Sequence, residues 1–346
     1  MQNPMQLIGS PASPYTQKML ALLRYRHISY AVIWGDPTDK LNEMGVSLPK
    51  MVFLPTFLLP DSDGSVEAVC DSTPIIRALE ERYSERSVVP TDPALALIDY
   101  LLEDFGDEWC TKYMFHYRWY PEADADNAGT LLPLLSGLTM PEEQHAQEKS
   151  AFTTRQIERL KFVGSNDSTA PVIEASYRRL LTLLDAHFCQ FPFLLGYRPG
   201  ASDFAIMGQF SQLVGFDPTS RAIALQYAPR TVAWVALMED QSGVLPTEDD
   251  WIKLDTLPAT LKALLGEIGR VYVPALRANA AALANDENHW EMEIDGHLWR
   301  QRTFSYQAKC FTWIRNTYHD LSPANRCRVD NMLAGTGCEV LFTESS

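Results

Sequence analysis

Two short polar turns hold the residues of this chain best suited to chemistry: Ser13-Pro14-Tyr15-Thr16 and Asp71-Ser72-Thr73-Pro74, with a Leu54-Pro55 step between them. Each turn follows an apolar run and precedes a helical pattern, so each sets a hydroxyl and free backbone N–H groups at the positive end of a helix. A peptide thiol with a free carboxylate could use both. Ser13 before Pro14 is also a good N-cap with proline at the first helical position, and the two roles are compatible. A hydroxyl can accept from an amide of its own helix while donating its hydrogen to a thiolate. Ser10 in the same loop is the second candidate for a thiol contact, with Tyr15 or backbone amides at the helix start behind it. Asp71-Ser72 likewise has capping of the helix beginning at Thr73 as its plain structural role.

The elements that must position these turns follow from periodicity. From Met5 to Tyr83 the pattern reads strand, helix, strand, loop, strand, hairpin strand, helix, a small α/β unit. Gln6 to Gly9 is the first strand, Pro14 to Arg26 a helix with Met19, Leu20, Leu22 and Leu23 on its apolar face, and Ser29 to Trp34 the next strand. Phe57 to Leu59 and Ala68 to Cys70 flank Asp61-Ser62-Asp63-Gly64, a cluster of the kind that closes a hairpin. Pro90-Thr91-Asp92-Pro93 marks a boundary, after which the pattern is helical. Leu97, Leu101, Phe105 and Trp109 share one helical face; Ile173, Tyr177, Leu180, Leu181 and Leu184 share another. Asn127 to Glu143, punctuated by glycine and proline, reads as a surface excursion. Later come a helical stretch from Pro258 to Ala284, two strands around Asp295-Gly296, a helix from about Ser305 to Tyr318, another from Ser322-Pro323 to Gly335, and a short run from Glu339 to Phe342.

Bulk properties exclude several classes. The 346 residues, 46% hydrophobic and 21% charged, suffice for two domains with real cores. The 29 Lys and Arg against 44 Asp and Glu give a net charge of -15, which repels phosphate backbones and anionic lipid, so neither nucleic acid nor membrane is an expected partner. There is no apolar stretch of membrane-spanning length, and the start lacks the blocks of a secretory signal, so a soluble cytoplasmic protein is expected. Six scattered cysteines and seven histidines without metal-ligand spacing predict reduced thiols and no metal.

The motifs together resemble the cytosolic glutathione transferase (glutathione S-transferase) superfamily, as a serine-type, bacterial-like member with an extended C-terminal region. The resemblance runs to about Gln241. It implies a thioredoxin-like α/β domain over residues 1–88, an all-α domain over 94–250 that borders the second substrate, and a C-terminal extension, 251–346, packed on the helical domain and outside the usual pattern. Gly9 to Tyr15 resembles the loop that meets the glutathione sulfur, with Ser13 where redox relatives carry an attacking cysteine. Leu54-Pro55 resembles the cis-proline step, beside Thr56, whose backbone pairs with the cysteinyl part of glutathione. Asp71-Ser72 resembles the pair that holds the γ-glutamyl end. Leu195 to Phe204 resembles the capping segment of the buried helix, with Asp203 tying back to the helix start; Gly200 stands where Ser or Thr is usual, so half of the reciprocal cap is missing. Trp109, Tyr113, His116 and Tyr117 lie on the helix that borders the second-substrate pocket, although aromatic helix faces are also ordinary core.

The resemblance implies glutathione as co-substrate, a homodimer, and a transferase or lyase of detoxification type that presents the thiolate to a small aromatic or hydrophobic electrophile. A non-catalytic binding protein of the same fold is the alternative. A thiol oxidoreductase is a third reading, and Ser13 in place of cysteine counts against it.

Overall fold

The structure, a computed structural model, describes residues 4–60, 66–254 and 257–343. The strand β1 (Met5–Gly9) enters a loop that ends at Ser13, whose side chain accepts from the Thr16 N–H at 3.2 Å; Pro14 then opens α1 (Pro14–Tyr25). The strand β2 (Tyr30–Trp34) returns parallel to β1. Strands β3 (Thr56–Pro60) and β4 (Val66–Val69) complete a sheet of order β2-β1-β3-β4, with β3 antiparallel to both of its neighbours, and α3 (Ser72–Arg82) follows. This is the thioredoxin-like α/β domain. The expected turn at Asp61 to Gly64 lies outside the described residues.

One helix in this domain was not expected. The stretch read as a loop after Trp34 contains α2 (Pro37–Met44), started by Asp36, whose carboxylate accepts from the N–H groups of Thr38 at 2.8 Å and Asp39 at 3.2 Å. Only Pro37 and Leu41 of it are buried, too little for an apolar period to stand out.

The second domain is helical: α4 (Pro93–Glu108), α5 (Cys110–Trp119), α6 (Glu122–Ser136), α7 (Glu142–Glu158), the short α8 (Leu160–Val163), α9 (Ala170–Phe188), α10 (Ala201–Gly215), α11 (Pro218–Tyr227) and α12 (Pro229–Met238). The excursion expected over Asn127 to Glu143 is instead largely the second half of α6. Pro133 lies inside α6, where it supplies no N–H to the Gly129 carbonyl, and only Gly137 to Pro141 separate α6 from α7.

At the start of the central helix α10, Asp203 accepts from the N–H groups of Gly200 and Leu194, both at 2.9 Å. The half-cap that Gly200 cannot supply comes from α4. Asp99 Oδ1 accepts from the Ser202 N–H at 3.1 Å and the Ser202 hydroxyl at 2.6 Å, and a Cβ on Gly200 would lie 2.5 Å from that same oxygen. Gly208 on α10 lets α1 come close: a Cβ there would meet the Pro14 carbonyl at 2.6 Å. The start of α1 is thus seated on the central helix.

The extension consists of α13 (Ala259–Ala284), the hairpin β5 (His289–Ile294) and β6 (His297–Arg302), α14 (Ser305–Asp320) and α15 (Pro323–Leu333). The hairpin turns on Asp295 and Gly296 with φ of 54° and 78°, the positive values a tight two-residue turn requires. Buried residues of the extension, among them Leu265, Trp299, Ile314 and Leu333, belong to the same continuous core as Leu7, Leu22, Leu101 and Phe204.

The two domains are joined by a buried charge. Lys18 on α1 is fully buried, and its ammonium donates to Glu103 at 2.9 Å and Asp107 at 2.6 Å on α4 and to Ser72 at 3.1 Å on α3. Burial works to lower its pKa, but the two carboxylates outweigh it and hold the value above that of an ordinary lysine. Lys18→Met should cost about 3–5 kcal/mol in denaturant-monitored unfolding, because it strands two buried carboxylates; Lys18→Met combined with Glu103→Gln and Asp107→Asn should recover much of that loss.

Candidate functional site

The sheet register gathers the motifs at one edge. Antiparallel pairing of Ile8 with Thr56 brings Gly9 next to Pro55 when that ladder is extended by one step, and pairing of Phe57 with Val69 brings Pro55 next to Asp71 when its ladder is extended by two. The loop before α1, the Leu54-Pro55 step and the start of α3 therefore lie side by side. The Leu54-Pro55 peptide is cis.

Hydrogen-bond accounting separates the candidates. Ser13 Oγ accepts from the Thr16 N–H, and its own hydrogen has no acceptor among the described residues. Ser72 Oγ accepts from Lys18, and its hydrogen too is unspent there. The Leu54 main-chain N–H and carbonyl make no hydrogen bond among the described residues. Ser10 uses its N–H on Thr16 Oγ1 at 3.3 Å, while its hydroxyl has no described partner.

Other candidates are committed elsewhere. The Tyr15 hydroxyl donates to the Asp107 carbonyl at 2.8 Å, across to α4, and burial raises its pKa well above that of a free tyrosine. Thr56 is buried and donates to the Phe53 carbonyl at 2.7 Å. Asp71 has φ of 84°, a value uncommon for a residue with a side chain, and it makes no side-chain cap to its helix. Instead the Tyr306 hydroxyl of α14 donates to Asp71 Oδ2 at 2.8 Å. Burial raises the Asp71 pKa above the ordinary carboxylate value.

The aromatic set packs within the helical domain. Trp109, Tyr113, His116 and Tyr117 are all buried. Trp109 donates to the Tyr113 hydroxyl at 2.7 Å and packs against Trp299 of the extension at 5.3 Å between ring centroids; Tyr113 and Tyr117 pack on Tyr177. His116 Nδ1 lies 2.8 Å from the Ser165 hydroxyl, and burial lowers the imidazole pKa to about 4, so it is neutral at physiological pH. Of these four expected pocket residues, Trp109 is the one that meets β6, through Trp299.

Two features of the site went unread in the sequence. Lys18, and its acidic partners on α4, were visible only as charges on helices with apolar faces: Asp99, Glu103 and Asp107 recur every four residues along one face. Tyr306 had no local signal, since its partner is 235 residues away. Among the described residues no group of His, Cys, Asp and Glu could hold a metal ion, and no helix is long and apolar enough to cross a membrane.

Comparison with known proteins agrees with the first domain. Residues 7–87 match the family model for the glutathione S-transferase N-terminal domain. No curated protein matches it. Among solved structures, a glutathione S-transferase from Rhodospirillum rubrum is similar at 18% identity, over 68% of this chain and 88% of that one, with a TM-score of 0.41. The Tau class enzyme from mango is similar at 18% identity over 71% and 94%, with a TM-score of 0.39. A glutathione transferase from Pseudomonas putida, carrying glutathione disulfide, is similar at 15% identity over 69% and 91%, with a TM-score of 0.40. Overlap at this level leaves binding and chemistry to be argued from this chain's own residues.

The buried acids beside the site set a pH dependence. Asp99 and Asp104 on α4 are both pushed up to about 7 by burial, against which hydrogen bonds from Ser202 to Asp99 and from Tyr272 to Asp104 act only in part. A carboxyl whose folded pKa lies above its unfolded value contributes stability below about pH 4 and loses it as pH rises through about 7. Unfolding free energy should therefore fall between pH 5.5 and 8.5 in denaturant titrations. Asp104→Asn, which keeps an oxygen for Tyr272, should flatten that fall by about 1 kcal/mol or more.

Proposed function

We propose that this protein is a serine-type glutathione transferase or lyase that activates the glutathione thiolate against a small aromatic or hydrophobic electrophile. The observation that carries the reading is the pair of hydroxyls, Ser13 and Ser72. Each has an acceptor position filled by an N–H donor of its own fold, which leaves an O–H to donate outward at a helix start. Ser13 would donate to the sulfur, the Leu54 main chain would pair with the cysteinyl unit, Ser72 would donate to the γ-glutamyl carboxylate, and Asp71 would take the ammonium.

The thiol, with a free pKa near about 8.5, is mostly protonated at neutral pH. A hydrogen bond to a charged group contributes about 1.5–3 kcal/mol, equivalent to about one to two pKa units if expressed wholly in the thiolate, and a helix N-terminus adds about 0.3–1 kcal/mol. Both would be needed here. The fixed cation of the site, Lys18, is already matched by Glu103 and Asp107, so it contributes little net field. The cytoplasmic setting and the homodimer go with this reading on the strength of the resemblance. Because α14 and α15 pack on α4, with Arg328 paired to Asp92 at 2.5 Å, a second subunit would have to use other surfaces.

The second reading, a non-catalytic protein of this fold, is favoured by one observation: Asp71 already has a hydrogen-bond donor in Tyr306. Glutathione at about 100 times Kd should stabilise the native chain by about 2.7 kcal/mol, a shift of several degrees in Tm. Binding without turnover of any electrophile would leave the second reading. Ser13→Ala should cost about 1 kcal/mol of stability and raise the bound thiol pKa by about one to two units, read from thiolate absorbance against pH. Activity at neutral pH should fall roughly ten- to a hundredfold and partly return in alkali, with Ser10→Ala near the parent.

A further inference from the structure

Asp71 is a half-buried carboxylate that forms no ion pair among the described residues. Of the two lysines whose charges act on it, Lys18 is spent on Glu103, Asp107 and Ser72, and Lys309 lies over the Trp313 ring at 4.1 Å. The Tyr306 hydroxyl donates to Asp71 Oδ2 at 2.8 Å. A carboxylate offers about four acceptor positions, so this one is oriented but not neutralised. What it lacks is a cation.

Tyr306 is well placed to do the orienting because the start of α14 is not a loose strap. The Phe304 N–H donates to Asn279 Oδ1 at 2.8 Å and the Phe304 carbonyl accepts from Asn279 Nδ2 at 2.9 Å, fixing the helix entry to α13, and Gln307 and Cys310 in the next turn are buried. The Tyr306 ring packs between Phe304 and Trp313.

We propose that Tyr306 is a positioning residue for ligand recognition: the extension supplies the wall at the amino end of the site and holds Asp71 through Oδ2, so that the remaining carboxylate oxygen receives the γ-glutamyl ammonium. This rests on the glutathione reading above. It makes α13 and α14 part of the binding site, and it makes the free α-amino group of the ligand a specificity determinant.

The test uses the full chain, calorimetric binding of glutathione, and the analogue glutaryl-cysteinylglycine, in which hydrogen replaces the amino group. Tyr306→Phe should weaken glutathione binding roughly tenfold and leave the analogue unchanged, and in an Asp71→Asn background the same substitution should have no further effect. In the unmodified protein, glutathione should slow amide exchange across residues 305–320. Tighter glutathione binding by Tyr306→Phe, or faster exchange of α14 with ligand, would overturn the proposal, because the helix would then be competing with the ligand. An equal loss for both ligands would reduce Tyr306 to a structural role and also overturn it, as would no change for either. If the unmodified protein binds neither ligand, the glutathione reading itself falls and this inference with it.

Discussion

The structure depends on one buried ammonium. Lys18 ties three helices from two domains to a single point, and its partners are each engaged a second time. Ser72 opens α3 at the site edge, while Glu103 and Asp107 also accept from Thr73. A charge removed from water at such a place is tolerable only if every neighbour is correctly set. The requirement runs both ways. The start of α1, with Ser13, cannot shift relative to Asp71-Ser72 without breaking the cluster, so the spacing of the candidate site is held by electrostatics as much as by the sheet.

That arrangement also limits the chemistry. Carboxylates crowd the interface between the first domain and α4, and their charge opposes a thiolate nearby. The positive contributions that remain are local and directional: a hydroxyl hydrogen, the amides at the start of α1, and the amides at the start of α3. A site built from dipoles binds a charged peptide through geometry rather than through a general field. The extension contributes its share through Tyr306, and it packs Trp299 against Trp109.

Local chemistry was legible where one residue does one local job. Ser13-Pro14 announced a capped helix, and Asp295-Gly296 announced a hairpin because both positions need φ above zero. The Leu54-Pro55 step could be read only from its place between two turns, since the dipeptide itself is common. Long-range partners were not legible. Nothing near Gly200 says that Asp99, about a hundred residues earlier, would complete its cap, and nothing near Tyr306 names Asp71. The aromatic run from Trp109 to Tyr117 could be placed on a helix, but whether its outer face met solvent or β6 depended on an extension with no counterpart in the resemblance. Lys18 shows the same limit: a lysine on an apolar face is suspicious, and only the fold supplies its three partners.

A crystal structure of the chain grown with glutathione tests the proposed site most directly. The sulfur should lie within hydrogen-bond distance of Ser13 Oγ, the γ-glutamyl carboxylate at Ser72, and the ammonium between Asp71 and α14 with the Tyr306 contact intact. Glutathione bound elsewhere, or seated only after α14 has left Asp71, would contradict it.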